Sequence, residues 1–199
     1  MKNAAALALP SAAASLAAPS TAQPMTAASL RAYAFTYIFR GVAVLAAALG
    51  NYALEHVGFA APWLPWMVLM PAAAVVLSVR GRRQQRAGLA GTTPTDRWMR
   101  LLQKSFVLVL LVSLAAATQI GWQNAHPLIL VLYGVGTMVA GRVLAFRPLV
   151  WGGAVCGLLG VAAMAVAADT QLLLIAAAML ASYVVPGVLL HAHSRNVAA

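Results

Sequence analysis

The chain has 199 residues, of which 63% are hydrophobic and only 8% are charged, and its formal net charge is +10. A soluble domain usually carries about 25% charged residues, so an ordinary soluble fold is excluded, because it would expose large apolar patches and aggregate. Cys156 is the single cysteine, which excludes an internal disulfide and a cysteine-based zinc cage.

Residues 1–30 form a low-complexity segment rich in alanine, serine, threonine and proline. This composition supplies no hydrophobic core, so we expect a disordered cytoplasmic tail. A cleaved signal peptide is the alternative, since Lys2 precedes an alanine-rich run. Pro10 interrupts that run after only a few residues, which favours the tail.

From about Ala32 onward, long apolar runs follow one another along the chain. A helix needs about 20 mostly apolar residues to cross the hydrocarbon core of a bilayer. The sequence therefore predicts an all-α, polytopic integral membrane protein with six transmembrane helices arranged as three hairpins. This domain covers residues 31–191, and a short cytoplasmic tail covers residues 192–199. The predicted spans are roughly 33–55, 61–80, 103–122, 127–145, 149–168 and 171–190.

The basic residues predict the orientation of these spans. Six crossings put the amino terminus, the connections between spans 2 and 3 and between spans 4 and 5, and the carboxyl terminus on one side. All 13 Lys and Arg residues fall in those four regions or in the halves of the spans that adjoin them, whereas Glu55 and Asp169 fall on the opposite side. The positive-inside rule therefore predicts a bacterial inner-membrane protein with both termini in the cytoplasm.

The connection between spans 2 and 3 opens with "SVRGRRQQRAG" (78–88), which contains four arginines and no acid. We expect its arginines to contact anionic lipid headgroups at the inner face. Nucleic acid is not an expected partner, because no aromatic platform accompanies the arginines. The following segment, "TPTDRWMRLLQKS" (93–105), predicts a short interfacial helix. The predicted headgroup-contacting residues are Arg80, Arg82, Arg83, Arg86, Arg97, Arg100 and Lys104.

Arg40 lies within the first predicted span. A charge inside a membrane helix is a functional hypothesis by default, but near the inner end a long side chain can snorkel to the headgroups. We expect Arg40 to snorkel, and a buried ion pair or ligand contact is the alternative. Glu55, the last residue of the first predicted span, is the one acidic residue within a predicted span, and it lies at the opposite end from Arg40, so the sequence shows no partner for this charge.

Two histidines and two carboxylates, Glu55, His56, His126 and Asp169, fall on the predicted outer side. Such residues bind metal ions or relay protons in other proteins. Each of them lies at a predicted helix end or turn, where polar residues also occur without such a role. Pro127, for example, is predicted to begin the fourth helix. The sequence alone therefore does not favour a metal site.

Glycines and prolines suggest how the helices pack. Small residues one turn apart let helix backbones approach closely in lipid, and we expect packing within one chain rather than a homodimer seam. Prolines within the second and sixth spans, Pro71 and Pro186, should kink these helices. The predicted packing positions are Gly134, Gly141, Gly153 and Gly157.

Motifs of enzymes and cofactor sites are absent from the sequence. There is no GxSxG, no HExxH, no phosphate-binding lysine loop, and no GxGxxG after a strand. The three acids show no catalytic spacing. We therefore expect neither an enzyme nor a bound cofactor or metal.

The second half of the chain resembles a group of uncharacterised small six-helix membrane proteins common in Bacteroidetes. In that group the fourth helix ends in a basic residue and runs into an R/K-P-L-x-x-G-G turn, and "RPLVWGG" (147–153) matches this pattern. A Q-L-L start and a late P-G in the last helix are matched by "QLL" (171–173) and "PG" (186–187). The resemblance covers about residues 33–190, and it implies architecture without a known activity.

Three roles follow from these patterns, and the third is a sensor that uses His56 and His126. The spans contain no obvious set of ionisable residues, which favours a non-enzymatic scaffold, or a partner of another membrane or signalling protein or of a second copy of the chain. The alternative is a small transporter or channel subunit, because such proteins place polar groups and broken helices near the middle of the bilayer. The candidate polar pathway for this alternative consists of Gln119, Thr137 and Tyr183.

Overall fold

The computed structural model describes residues 26–87 and 94–197, and this part of the chain is helical without a strand. Six segments are long and apolar enough to cross a membrane, which confirms the predicted all-α, polytopic fold. A 3-10 turn, Ala163–Ala165, extends the fifth helix, and a π-helical segment, Leu180–Val184, joins the last two helices into one span. The helices are α1 (Ala27–His56), α2 (Leu64–Arg86), α3 (Pro94–Ile120), α4 (Trp122–Val143), α5 (Arg147–Ala162), α6 (Ala168–Met179) and α7 (Val185–Asn196).

The first helix begins earlier than predicted. Thr26 is its N-cap, and the Thr26 side-chain oxygen accepts a hydrogen bond from the Ser29 backbone N–H at 3.2 Å. Capping of this kind satisfies one of the free N–H groups of the first turn. Leu30 is buried as well. Residues 27–30, predicted as tail, therefore belong to the helix, while the rest of that tail, residues 1–25, lies outside the described residues.

Two further boundaries differ from prediction. The segment predicted as a separate interfacial helix (93–105) is, from Pro94 onward, the beginning of α3, which continues to Ile120 without a break. At the other end of the chain α7 continues to Asn196, so that most of the predicted tail from residue 192 is helical. Residues 95–120 and 188–196 contain no proline or glycine that would end either helix.

The fourth helix begins at Trp122, and Pro127 lies inside it rather than at its start. Gly121 precedes the helix with φ +83°, a conformation that glycine adopts without strain. The proline ring removes one backbone N–H and thereby leaves the carbonyl of Gln123 without its helical donor. A buried glutamine supplies that donor, as described below.

The centre of the bundle is formed by α1, α4, α5 and the α6–α7 span. α1 packs against α6, the π segment and α7 along one side and against α2 on the other, and α4 packs most closely against α5. α2 and α3 are peripheral, since only 6% of the span window of each is buried within the chain. In a membrane the remaining surface of both helices faces lipid or another protein.

Small residues explain the closeness of α4 and α5. A Cβ atom added at Gly134 would lie 2.6 Å from the Gly157 backbone nitrogen, and one at Gly153 would lie 2.6 Å from the Met138 backbone nitrogen. A Cβ atom at Gly141 would similarly meet the Val150 backbone nitrogen at 2.7 Å. Any side chain at these three positions would force the helices apart.

Alternating helix directions give the bundle two chemically different ends. The basic end is where Arg80 lies over the ring of Phe35, with 3.9 Å between the guanidinium carbon and the ring centroid. The acidic end contains Glu55 and Asp169, which line one depression together. The two ends follow directly from the separation of charges along the sequence.

Candidate ligand-binding cavity

A cavity of about 40 Å³ lies between α1 and α3, in the half of the bundle nearer the basic end. α4 and the π segment contribute the remaining walls through Gly136, Ala140 and Tyr183. A water molecule needs only about 10–15 Å³ on this scale, so the cavity has room for a group of several atoms.

One face of α1 lines this cavity with polar side chains. Tyr33, Thr36, Tyr37 and Arg40 all belong to its wall. Positions 33, 37 and 40 follow the i, i+4, i+7 spacing that places side chains on one face of a helix. This spacing was the sequence signal that could have revealed the site, but only Arg40 was singled out from the sequence.

Arg40 lies near the middle of α1 rather than near its inner end. At a rise of about 1.5 Å per residue it lies about 20 Å from Ala27 and about 24 Å from His56. It is also about one and a half turns further from the basic end than Phe35, the residue that contacts the exposed Arg80. Arg40 is half-buried and lines the cavity, and both snorkelling and a ligand or ion-pair contact stay predictions for this residue.

Aromatic rings enclose the deep end of the cavity. The ring centroid of Tyr183 lies 5.4 Å from that of Tyr37 and 5.6 Å from that of Tyr133. Phe106 of α3 meets Tyr133 edge-on at 4.9 Å. This ring cluster joins α1, α3, α4 and the π segment, so it fixes the walls around the Arg40 side chain.

The sixth span is irregular where it meets the cavity. Pro186 lacks a backbone N–H, and its ring conflicts with the carbonyl four residues earlier, at Ser182. The backbone widens there into the π segment that contains Tyr183. π segments inside helices occur frequently at functional sites. A kink at Pro186 was predicted from the sequence, whereas its position beside a cavity was not.

A polar contact between α1 and α3 lies beside the cavity, on the side of the basic end. The Tyr33 hydroxyl donates a hydrogen bond of 2.9 Å to a carboxylate oxygen of Asp96. Asp96 is almost fully buried in the first turn of α3, where a carboxylate also interacts favourably with the helix dipole. The contact holds the start of α3 against α1. Asp96 is the acidic residue of the basic end, and its side chain accepts this hydrogen bond.

Gln171 joins three elements near the acidic end. Its side-chain amide nitrogen donates to the carbonyls of Gln123 and Ala163, each at 3.0 Å. The first of these is the carbonyl left without a donor by Pro127, and the second lies where α5 passes into its 3-10 turn. The Nδ1–H tautomer of His126 donates to the Gln171 side-chain oxygen at 3.3 Å. Gln171 therefore stabilises the end of the bundle opposite the cavity mouth.

Of the predicted pathway residues, two lie together and one does not. Tyr183 lines the cavity, and Thr137 is buried beside it, with its hydroxyl donating to the Tyr133 carbonyl at 2.7 Å. Gln119 is exposed near the end of α3, away from the cavity. The composition of a span does not indicate which helix face its polar residue occupies. The sequence therefore could not distinguish Gln119, which faces outward, from the two residues at the cavity.

The predicted headgroup-contacting residues lie at the basic end, around the mouth of the bundle. Within this set Arg100 is half-buried and the others are exposed. They are Arg80, Arg82, Arg83, Arg86, Arg97, Arg100 and Lys104.

The predicted packing glycines differ from one another in the space around them. Gly134, Gly141 and Gly153 lie where backbones nearly touch, as described above. A Cβ atom at Gly157 would meet nothing within 4 Å. Gly157 contributes its backbone to the Gly134 contact, and its own missing side chain is not required.

The polar residues of the acidic end form an open depression rather than a metal site. Glu55, His56 and Asp169 line it, whereas His126 is engaged with Gln171. Within residues 26–87 and 94–197 no group of three or more potential ligands is arranged to hold a metal ion.

No protein-family model matches the chain, and neither a curated protein nor a solved structure matches it. The resemblance to the Bacteroidetes group therefore stays a prediction. Architecture and site together define the chain as an all-α, multi-pass membrane protein with a partly open, mostly apolar cavity that four helical elements line.

Proposed function

We propose that this chain is a small, non-enzymatic membrane transporter, or a subunit of one, with its solute pathway through the cavity beside Arg40. The observation that carries this proposal is the coincidence of an arginine, a tyrosine cluster and a π segment at one depth, about midway along the helices. Transporters characteristically place polar side chains and broken helices at this depth.

The same proposal includes a location and an orientation. The chain lies in a bacterial inner membrane with its basic end in the cytoplasm, in keeping with the positive-inside rule. The exposed arginines of α2 and α3 contact anionic lipid headgroups there. The cavity, which lies in the basic half, then takes up its solute from the cytoplasmic side.

Cysteine accessibility tests the pathway directly. Cys156 is buried, and its replacement by alanine gives a cysteine-free background. Thr36→Cys and Tyr183→Cys introduce thiols into the cavity wall, and Ala48→Cys introduces one into the closed core, where Ala48 is 0% exposed. We expect a membrane-impermeant maleimide added to inside-out vesicles to label the first two variants and leave the third unlabelled. Absence of labelling at both cavity positions from either side of the membrane would remove the pathway.

A scaffold or partner role is the second candidate, and the peripheral helices favour it. α2 and α3 bury only 6% of their span windows within the chain, so each leaves a long surface for a helix of another protein or of a second copy. Crosslinking in native membranes followed by purification tests this role. A specific partner held through α2 or α3, together with an unlabelled cavity, would favour the scaffold over the transporter.

A further inference from the structure

Arg40 is the charged residue of the cavity, and the other wall residues carry hydroxyl, amide or apolar groups. The side chain lies within electrostatic range of Tyr37, Tyr133 and Tyr183. The cavity therefore combines a fixed positive charge with neutral hydrogen-bond donors.

No carboxylate of the chain is among the residues that line the cavity. The chain contains three acids. Glu55 and Asp169 lie at the acidic end, and Asp96 accepts the hydrogen bond from Tyr33. Across residues 26–87 and 94–197 Arg40 makes neither a hydrogen bond nor an ion pair with another side chain. A guanidinium group has five N–H donors, and leaving it without an anion at this depth costs free energy.

The guanidinium nitrogens of Arg40 remain reachable from the cavity. In the described part of the chain, no fully occluded side-chain nitrogen or oxygen lacks a hydrogen-bond partner. Because Arg40 makes no such bond, its nitrogens are not fully occluded, and the residue forms part of the cavity wall. An anion entering this space meets the donors directly.

We propose that Arg40 binds the carboxylate group of a short monocarboxylate in this cavity. One guanidinium balances one negative charge, whereas a phosphate monoester carries about −1.5 to −2. The planar fork of arginine matches a carboxylate with two parallel hydrogen bonds. Met99, Leu102 and Phe106 provide an apolar wall for a short hydrocarbon part.

This proposal rests on the proposed function only in naming the solute, since binding is measured without transport. The carboxylate comes either from a free solute or from a fatty acid in the bilayer. Both sources present the same group to Arg40, and the arms of the experiment distinguish them.

The test uses the full chain in nanodiscs of phosphatidylcholine, titrated calorimetrically with sodium butyrate, sodium oleate, sodium phosphate or sodium chloride. We expect saturable binding of butyrate, and Arg40→Gln should weaken it by about tenfold to a hundredfold, as expected for loss of charge-assisted hydrogen bonds. Arg40→Lys keeps the charge but loses the fork, so it should weaken binding by about tenfold. Arg142→Gln removes an exposed arginine outside the cavity wall and should leave binding unchanged.

Every other binding result either supports or overturns the carboxylate site. Binding of oleate without butyrate, lost in Arg40→Gln, supports the carboxylate site and assigns it to a bilayer fatty acid. Absence of binding by both, equal binding in the wild type and Arg40→Gln, or tighter binding of phosphate or chloride than of butyrate overturns the proposal. If Arg40→Gln does not fold, unchanged binding by Arg40→Lys overturns it instead.

The two proposals fail separately. Butyrate binding without maleimide labelling at Thr36 and Tyr183 keeps the carboxylate site and removes the pathway. Labelling without carboxylate binding keeps the pathway and removes this solute.

Discussion

Replacing Gln171 by leucine should destabilise the bundle, although leucine has a similar volume. The amide of Gln171 is 1% exposed and donates to the carbonyls of Gln123 and Ala163, both at 3.0 Å. Leucine cannot supply these donors. The Gln123 carbonyl has no alternative, because Pro127 in the next turn has no N–H to offer.

The size of the effect is bounded by two estimates. An average side-chain hydrogen bond inside a membrane protein contributes about 0.6 kcal/mol, so the loss of two bonds costs at least about 1 kcal/mol. The Gln123 carbonyl becomes a buried acceptor without a donor, which costs about 1–3 kcal/mol. The lost bonds to Ala163 and from His126 add about 0.6 kcal/mol each, which brings the upper estimate to about 4 kcal/mol. We therefore expect the free energy of unfolding to fall by about 1–4 kcal/mol.

The chain offers a matched control. The Gln123 side chain is exposed, and only its backbone carbonyl takes part in the contact. Gln123→Leu therefore makes the same chemical change while leaving both hydrogen bonds in place. Unfolding by sodium dodecyl sulfate in mixed micelles, followed by far-ultraviolet circular dichroism, measures both variants. Equal stabilities for Gln171→Leu and Gln123→Leu would refute the bridging role.

Two further predictions concern helix packing and the contact between Tyr33 and Asp96. Gly134→Ala should destabilise the protein by about 1–3 kcal/mol, the usual cost of overpacking, because the new Cβ atom would lie 2.6 Å from a backbone nitrogen. Gly157→Ala should leave the stability unchanged, because a Cβ atom there would meet nothing within 4 Å. The same unfolding assay measures both variants, and equal effects would contradict the packing argument. Tyr33→Phe should cost about 1–3 kcal/mol, because it removes the hydroxyl that donates one hydrogen bond to the buried Asp96 side chain. Tyr52→Phe, near the other end of α1, should be neutral in that assay, and an unaltered midpoint for Tyr33→Phe would count against the contact.

The number and type of the spans could be predicted from the sequence, because hydropathy and helix length follow from local composition. The helix boundaries could be predicted less well. Residues 27–30 look like the low-complexity tail that precedes them, and the Thr26 cap together with tertiary burial of Leu30 makes them helical. Pro127 looks like a helix start, yet Gln171, 44 positions later in the sequence, lets it lie inside a helix.

The cavity could be predicted even less well from the sequence, because its walls come from helices that are distant along the chain. Arg40 looks like an interfacial arginine when the first span is taken to begin at residue 33, whereas it lies near the middle of α1, which begins at Ala27. The contact of Tyr33 with Asp96 joins residues 63 positions apart, and no local pattern indicates it. Gln119 and Gln171 are the same residue type near the ends of spans, but only the second lies against other helices.

The orientation of the bundle is tested most directly by a pair of reporters, alkaline phosphatase and green fluorescent protein, fused after Arg86. We expect the fluorescent protein to be bright and the phosphatase inactive at this position, and the reverse for fusions after Gly58. Active phosphatase after Arg86 would mean that the arginine-rich end crosses the membrane, which contradicts both the proposed orientation and uptake into the cavity from the cytoplasm.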